Sequence, residues 1–95
     1  MREDPKISLP QVLNRLKRII AEDKNWPWNK VRSSQRLRDD PLSYANSQVG
    51  GLATDIKKRF RDVELSITPG DVREAITVKD LTYIVWEKIP GKYRR

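Results

Sequence analysis

The apolar positions fall into clusters, and their spacing changes along the chain. Leu9, Val12, Leu13, Leu16, Ile19 and Ile20 recur at three- and four-residue steps, which predicts an amphipathic helix of about 14 residues. Ser8 and Gln11 fit a capping box at its start. Pro10 falls in the first turn, where a missing N–H costs little. Arg15, Lys17, Arg18 and Glu22 fill the outer face. Residues 23–45 then sustain no period. They hold Trp26-Pro27-Trp28, with Val31, Leu37 and Leu42 as isolated apolar residues, and Asp39-Asp40-Pro41 reads as a turn. A connection of roughly 20 residues is long for a compact domain. It is expected to be pinned by its own apolar residues, to carry function, or both.

A second helix is predicted from Asn46 or Ser47, with Val49, Leu52, Ala53, Ile56 and Phe60 along one face. Gly50-Gly51 weaken it by up to about 1 kcal/mol each relative to alanine. Two adjacent glycines there point to close approach by another backbone, or to a fraying end. Val63, Leu65 and Ile67 alternate with Glu64 and Ser66, but no partner strand is in sight, so they read as an extended linker. Thr68-Pro69-Gly70-Asp71 opens a short helix reaching about Ala75, with Thr68 as cap. Thr77 caps a last helix, with Asp80 as the capping-box acid. Val78, Leu81, Ile84, Val85 and Ile89 give its buried face, and Pro90-Gly91 stops it. The fold expected is all-α, with three main helices, one short helix and a long loop between the first two. Residues 1–7 are expected to be frayed, residues 8–89 to form the domain, and residues 90–95 to form a basic tail.

Composition narrows the chemistry. Ninety-five residues allow one domain. The chain has no cysteine and no histidine, which removes disulfides, thiolate zinc sites, thiol nucleophiles and every triad built on imidazole. No apolar run reaches the roughly 18 residues of a membrane span, and no signal-peptide core follows Met1. The expectation is a soluble, cytoplasmic, monomeric protein that is not itself an enzyme. Twenty Lys and Arg against thirteen Asp and Glu give +7, a balance that favours acidic partners: nucleic acid, anionic lipid or an acidic protein.

The element plan resembles the acyl carrier proteins and the related peptidyl carrier domains. Ile76-Thr77-Val78-Lys79-Asp80-Leu81 is similar to that family's Thr-Val-x-Asp-Leu opening of the last helix. Ile67-Thr68-Pro69-Gly70-Asp71-Val72 is similar to its Ile-x-Pro-x-Asp lead-in to the short helix. Ile56, Phe60 and Val63-Glu64-Leu65 resemble the end of its second helix, and Leu16, Ile19 and Ile20 the pattern of its first. Val31 and Leu37 stand where the family's first loop carries anchoring residues. The resemblance runs over roughly residues 8–89. It implies a four-helix acyl-carrier-like bundle and a carrier role in fatty-acid or polyketide-type lipid metabolism. Acyl groups would be held as thioesters on a 4'-phosphopantetheine arm attached to serine, with no metal. The partners implied are acyl-transferring or modifying enzymes.

The chain departs from the family at the serine. In place of Asp-Ser-Leu it reads Leu42-Ser43-Tyr44-Ala45-Asn46-Ser47-Gln48. Ser47 is the attachment candidate, and Ser43, ahead of any helix start, is the poorer one. Alternatively, Ser47 or Asn46 simply caps the helix. Charge departs as well. The family's second helix is acidic, whereas Lys57, Lys58, Arg59 and Arg61 make this one basic at its end. These four are the partner-binding candidates, for enzymes with acidic docking surfaces, and Arg36, Arg38 and the tail Lys92-Tyr93-Arg94-Arg95 could extend the surface. An acyl chain, if carried, would lie among Leu16, Ile20, Leu52, Ile56 and Ile84. Trp26, Trp28, Tyr83 and Trp86 either close the bundle or form contact surfaces. Asp39-Asp40 alone are a weak cation signal. Two other functions stay open: a carrier-fold interaction module without a prosthetic group, and a small basic nucleic-acid-binding protein.

Overall fold

The computed structural model describes residues 6–40 and 42–95. The expectations for residues 1–5 and for Pro41 lie outside the described residues. Among the described residues the chain is all-α, with four α-helices: α1 (Leu9–Lys24), α2 (Asn46–Arg59), α3 (Pro69–Glu74) and α4 (Val78–Lys88). α1 packs along both α4 and α2, and α3 packs mainly on α2. Their inner faces merge in one core that includes Leu16, Ile20, Leu52, Ile56, Phe60, Leu81 and Val85. No helix is long and apolar enough to cross a membrane among these residues.

Three helix starts follow local side-chain chemistry. At α1 the Ser8 hydroxyl accepts from the Gln11 N–H, and the Gln11 side-chain Oε1 accepts from the Ser8 N–H. Thr68 and Asp71 make the same reciprocal pair at α3, and Thr77 and Asp80 make it at α4. α1 ends at Asn25, which takes a left-handed conformation (φ 59°) suited to a helix stop.

The loop between α1 and α2 is pinned by its apolar residues: Val31, Leu37, Leu42 and also Tyr44 are buried. Its backbone is tied to the start of α4. Leu37 N–H donates to Ile76 C=O (2.9 Å), Val78 N–H to Gln35 C=O (3.0 Å), and Lys79 N–H to Ser33 C=O (2.9 Å). Beyond α2, residues 61–63 form a 3-10 turn and Glu64 turns left-handed (φ 53°). Val63 and Glu64 are therefore not extended, which corrects the first half of the expected linker; the connection to α3 that follows, residues 65–67, has no regular structure and buries Leu65 and Ile67.

The chain ends differ from expectation. Ile7 is buried, and its N–H donates to Tyr93 C=O (2.8 Å) while its C=O accepts from Arg95 N–H (3.0 Å). Tyr93 is buried in turn, and its hydroxyl donates to Glu64 (2.5 Å). Ile7 and the segment 91–95 therefore join the folded body, because two apolar side chains find core positions there. The polar neighbour Lys6 stays exposed, as expected.

Candidate functional site

α2 begins without a side-chain cap. Ala45 occupies the cap position and has no oxygen to offer; the Gln48 side chain closes the turn from the other side by accepting from Ala45 N–H (2.9 Å). Asn46 and Ser47 are the first two helical residues, so neither is the cap, which corrects that alternative. The backbone decides it: the extended, cap-type conformation falls one residue earlier, at Ala45 (φ −80°, ψ 159°). Among the described residues the N–H groups of Asn46 and Ser47 have no hydrogen-bond partner, and both side chains are exposed. Such an end has free donors and the positive end of the helix dipole.

Ser43 is differently placed. It lies before α2 in a left-handed conformation (φ 46°), and its hydroxyl donates to Asp40 (2.6 Å) while its N–H donates to Asp39 C=O (2.9 Å). It is tied back to Asp39 and Asp40. Of the two serines, Ser47 is the one with a free hydroxyl at the helix start.

Gly50 and Gly51 continue the same side of α2. A methyl group built at either would meet no neighbouring atom within 4 Å. No backbone approaches them, which corrects the close-approach reading. They instead leave open space directly over both positions, on the side of α2 that also carries Ser47. A flexible arm on Ser47 fits these surroundings: an exposed hydroxyl, free N–H donors for a phosphodiester, and open space directly over Gly50 and Gly51. The residues expected to hold an acyl chain are otherwise engaged. Leu16, Ile20, Leu52 and Ile56 are fully buried in the core, and Ile84 is half-buried beside it.

At the other end of α2, three of the four basic candidates come together. Lys57, Lys58 and Arg61 line a concavity of ≈ 540 Å³ with Thr54, Glu64 and Leu65. Neither Lys57, Lys58 nor Arg61 makes an ion pair among the described residues. Arg59 is turned the other way, toward α1, where it pairs with Glu22. Arg36 and Arg38 do not line the concavity. Arg36 pairs with Asp39 (3.3 Å), and it bridges to Thr77 ahead of α4. Lys92 reaches the rim, where its ammonium stands 3.8 Å from the Glu64 carboxylate, and the Arg94 guanidinium lies over the Trp86 ring.

The end of α2 is fastened by a residue assigned at first only to the outer face of α1. Arg15 makes a two-pronged pair with Asp62 (2.8 and 3.0 Å), donates to the last α2 carbonyl at Arg59 (3.1 Å), and lies over the Phe60 ring. That pairing holds the Asp62 carboxyl below its ordinary value. Asp71 is also lowered, first by the N–H it accepts from Thr68. The buried Tyr44 donates to Asp23 (2.7 Å), and burial followed by that hydrogen bond raises its pKa.

The aromatic candidates divide. Trp26 packs against the core while Trp28 stands exposed, so the pair both closes the bundle end and presents a ring to solvent. Trp86 is half-buried and Tyr83 exposed. Tyr83 lines a shallow groove between α1 and α4 with Leu9, Pro10 and Leu13. Among the described residues no group of three or more potential ligands is placed to hold a metal ion.

Comparison with protein-family models, with curated proteins and with solved structures finds no match to this chain.

Proposed function

We propose that the chain is an acyl-carrier-like module that bears 4'-phosphopantetheine on Ser47 and serves acyl-transferring enzymes. One observation carries the reading: Ser47 is an exposed hydroxyl in the first turn of a helix whose first two N–H groups have no partner among the described residues. The prosthetic group would supply a thiol that holds acyl groups as thioesters. The protein's own contribution is confined to presenting it. The free N–H groups of Asn46 and Ser47 and the helix dipole favour a phosphodiester at that point. Gly50 and Gly51 leave open space directly over them. The all-α plan with its long first loop, and the capping pairs at Thr68 and Thr77, agree with the sequence resemblance. The cytoplasmic setting and the role in lipid metabolism belong to this same reading.

The test is intact mass after incubation with coenzyme A and a broad-specificity phosphopantetheinyl transferase, beside Ser47→Ala and Ser43→Ala. The expected result is a gain of one phosphopantetheine in the unaltered chain and in Ser43→Ala, and none in Ser47→Ala. A gain that survives Ser47→Ala, or no gain in any form, overturns the proposal.

One local feature favours a second reading. Asn46 and Gln48 stand where the family has Asp and Leu, and the Gln48 side chain is engaged in closing the helix start. A carrier-fold interaction module without a prosthetic group would tolerate that change. It would show no mass gain and would still bind a partner through α2.

A further inference from the structure

The cleft at the end of α2 has a chemistry of its own. Its cations are three, all exposed, all on the stretch 57–61, and among the described residues none pairs with a carboxylate. Of the nearby acids, Asp55 lies with Lys58 in a neighbouring hollow on the α1 side and does not line the cleft, and three others are engaged. Asp62 is taken by Arg15, Glu22 by Arg59, and Glu64 at the rim by the Tyr93 hydroxyl and Lys92. Arg59 marks the boundary of the cleft: one residue from Lys58 and two from Arg61, it faces α1 and is paired. The cleft's apolar component is the hydrocarbon stems of its two lysines, over the buried Leu65.

We propose that this cleft docks an acidic, amphipathic segment of a partner protein. In that arrangement carboxylates of the segment meet Lys57, Lys58 and Arg61, and an apolar side chain packs on the hydrocarbon stems of the two lysines. Charge complementarity carries the choice of occupant. The cleft is poorly suited to nucleic acid: among the described residues no aromatic ring lines it for base stacking. Glu64 on the rim interrupts any longer track of cations. The proposal deepens the carrier reading by naming the partner's chemistry, but the cleft is present on the unmodified chain, so either can fail without the other.

The experiment uses the full chain without a prosthetic group. The probe is a labelled helical peptide with glutamates on one face and leucines on the other, and the readouts are fluorescence anisotropy and backbone amide shifts. The expected result is binding that perturbs amides of residues 54–65 and weakens about tenfold or more in Lys57→Glu/Lys58→Glu/Arg61→Glu. The same three positions changed to Gln should weaken it in the same direction, which covers the case of poor folding in the first variant. Arg18→Glu/Arg32→Glu/Arg38→Glu, an equal change in net charge on exposed residues elsewhere, should leave binding within about twofold, and so should Arg59→Gln. Equal weakening by the charge-matched control overturns the proposal, since the peptide would then be reading net charge alone. Inorganic phosphate or a single-stranded oligonucleotide that shifts the same amides more strongly than the peptide also overturns it, as does peptide binding that leaves residues 54–65 unperturbed.

Discussion

α4 and α2 begin in opposite ways. At α4 every early N–H has a partner: Val78 and Lys79 donate to loop carbonyls, Asp80 to the Thr77 hydroxyl and Leu81 to the Thr77 carbonyl. At α2 the cap is an alanine, the first two N–H groups have no partner among the described residues, and two glycines follow within the second turn. Free helix donors and helical glycine each cost stability. The difference separates a start built to hold the fold from one that the rest of the fold must hold. α2 is secured by its buried face and by the Arg15 clamp at its far end. Its beginning contributes little to stability, and the proposed attachment at Ser47 would use that uncapped start.

The comparison is broken most strongly at the loop residue that aligns the carbonyls facing α4. Leu37 is 2% exposed, and Leu37→Ala is expected to cost about 2–5 kcal/mol in denaturant unfolding. A loss below about 1 kcal/mol would mean that the loop is not what fixes the start of α4. Next in size is Gly50→Ala/Gly51→Ala. With open space at both positions and no positive φ at either, the pair should gain about 1–2 kcal/mol in the same measurement. No gain would show that a neighbour crowds the two positions after all.

The two caps should respond with opposite signs. Thr77→Ala is expected to lose about 1 kcal/mol, whereas Ala45→Asp should gain about 0.5–1 kcal/mol by supplying the missing acceptor. Thermal unfolding of both variants sharpens the contrast; a loss from Ala45→Asp would mean that the α2 donors are already satisfied.

The smallest effects come from pH, and they fall on opposite ends of α2. The folded pKa of Asp62 lies below its ordinary 3.8, chiefly through the hydrogen bonds from Arg15. Its contribution is complete above about pH 4 and is lost as pH falls through the folded value. Asp71 acts in the same sense. Tyr44, just before α2, has a folded pKa above its ordinary 10.0, first from burial and then from the hydrogen bond to Asp23. Its contribution is complete below about pH 10 and declines as pH rises beyond that. Stability measured across pH should therefore fall at both extremes. Asp62→Asn should reduce the acid slope, and Tyr44→Phe should reduce the alkaline one.

What the sequence made legible was what is local. The Ser8–Gln11, Thr68–Asp71 and Thr77–Asp80 pairs span three residues each, so pattern alone locates α1, α3 and α4. The inward faces of α1 and α2 follow from period for the same reason. The contacts that were missed join distant segments: Tyr44 to Asp23, Arg15 to Asp62, Glu64 to Tyr93 and Ile7 to Arg94. At the candidate site, a run of four basic residues was visible, but which of them share a cleft was not. Arg59 drops out only because Glu22 of α1 lies beside it, and nothing in the spacing announces that neighbour. The glycine pair failed in a related way, because its reason is an empty surface and not a contact.

The clasp between Ile7 and residues 93–95 has a kinetic consequence. It joins positions separated by nearly the whole chain, the costliest loop to close in an unfolded polymer. Such a contact forms after the helices have already brought its two sides together, and its few hydrogen bonds are among the first to let go. The protein can thus unfasten at its ends while the helices stay assembled, so that its earliest opening leaves the start of α2 in place.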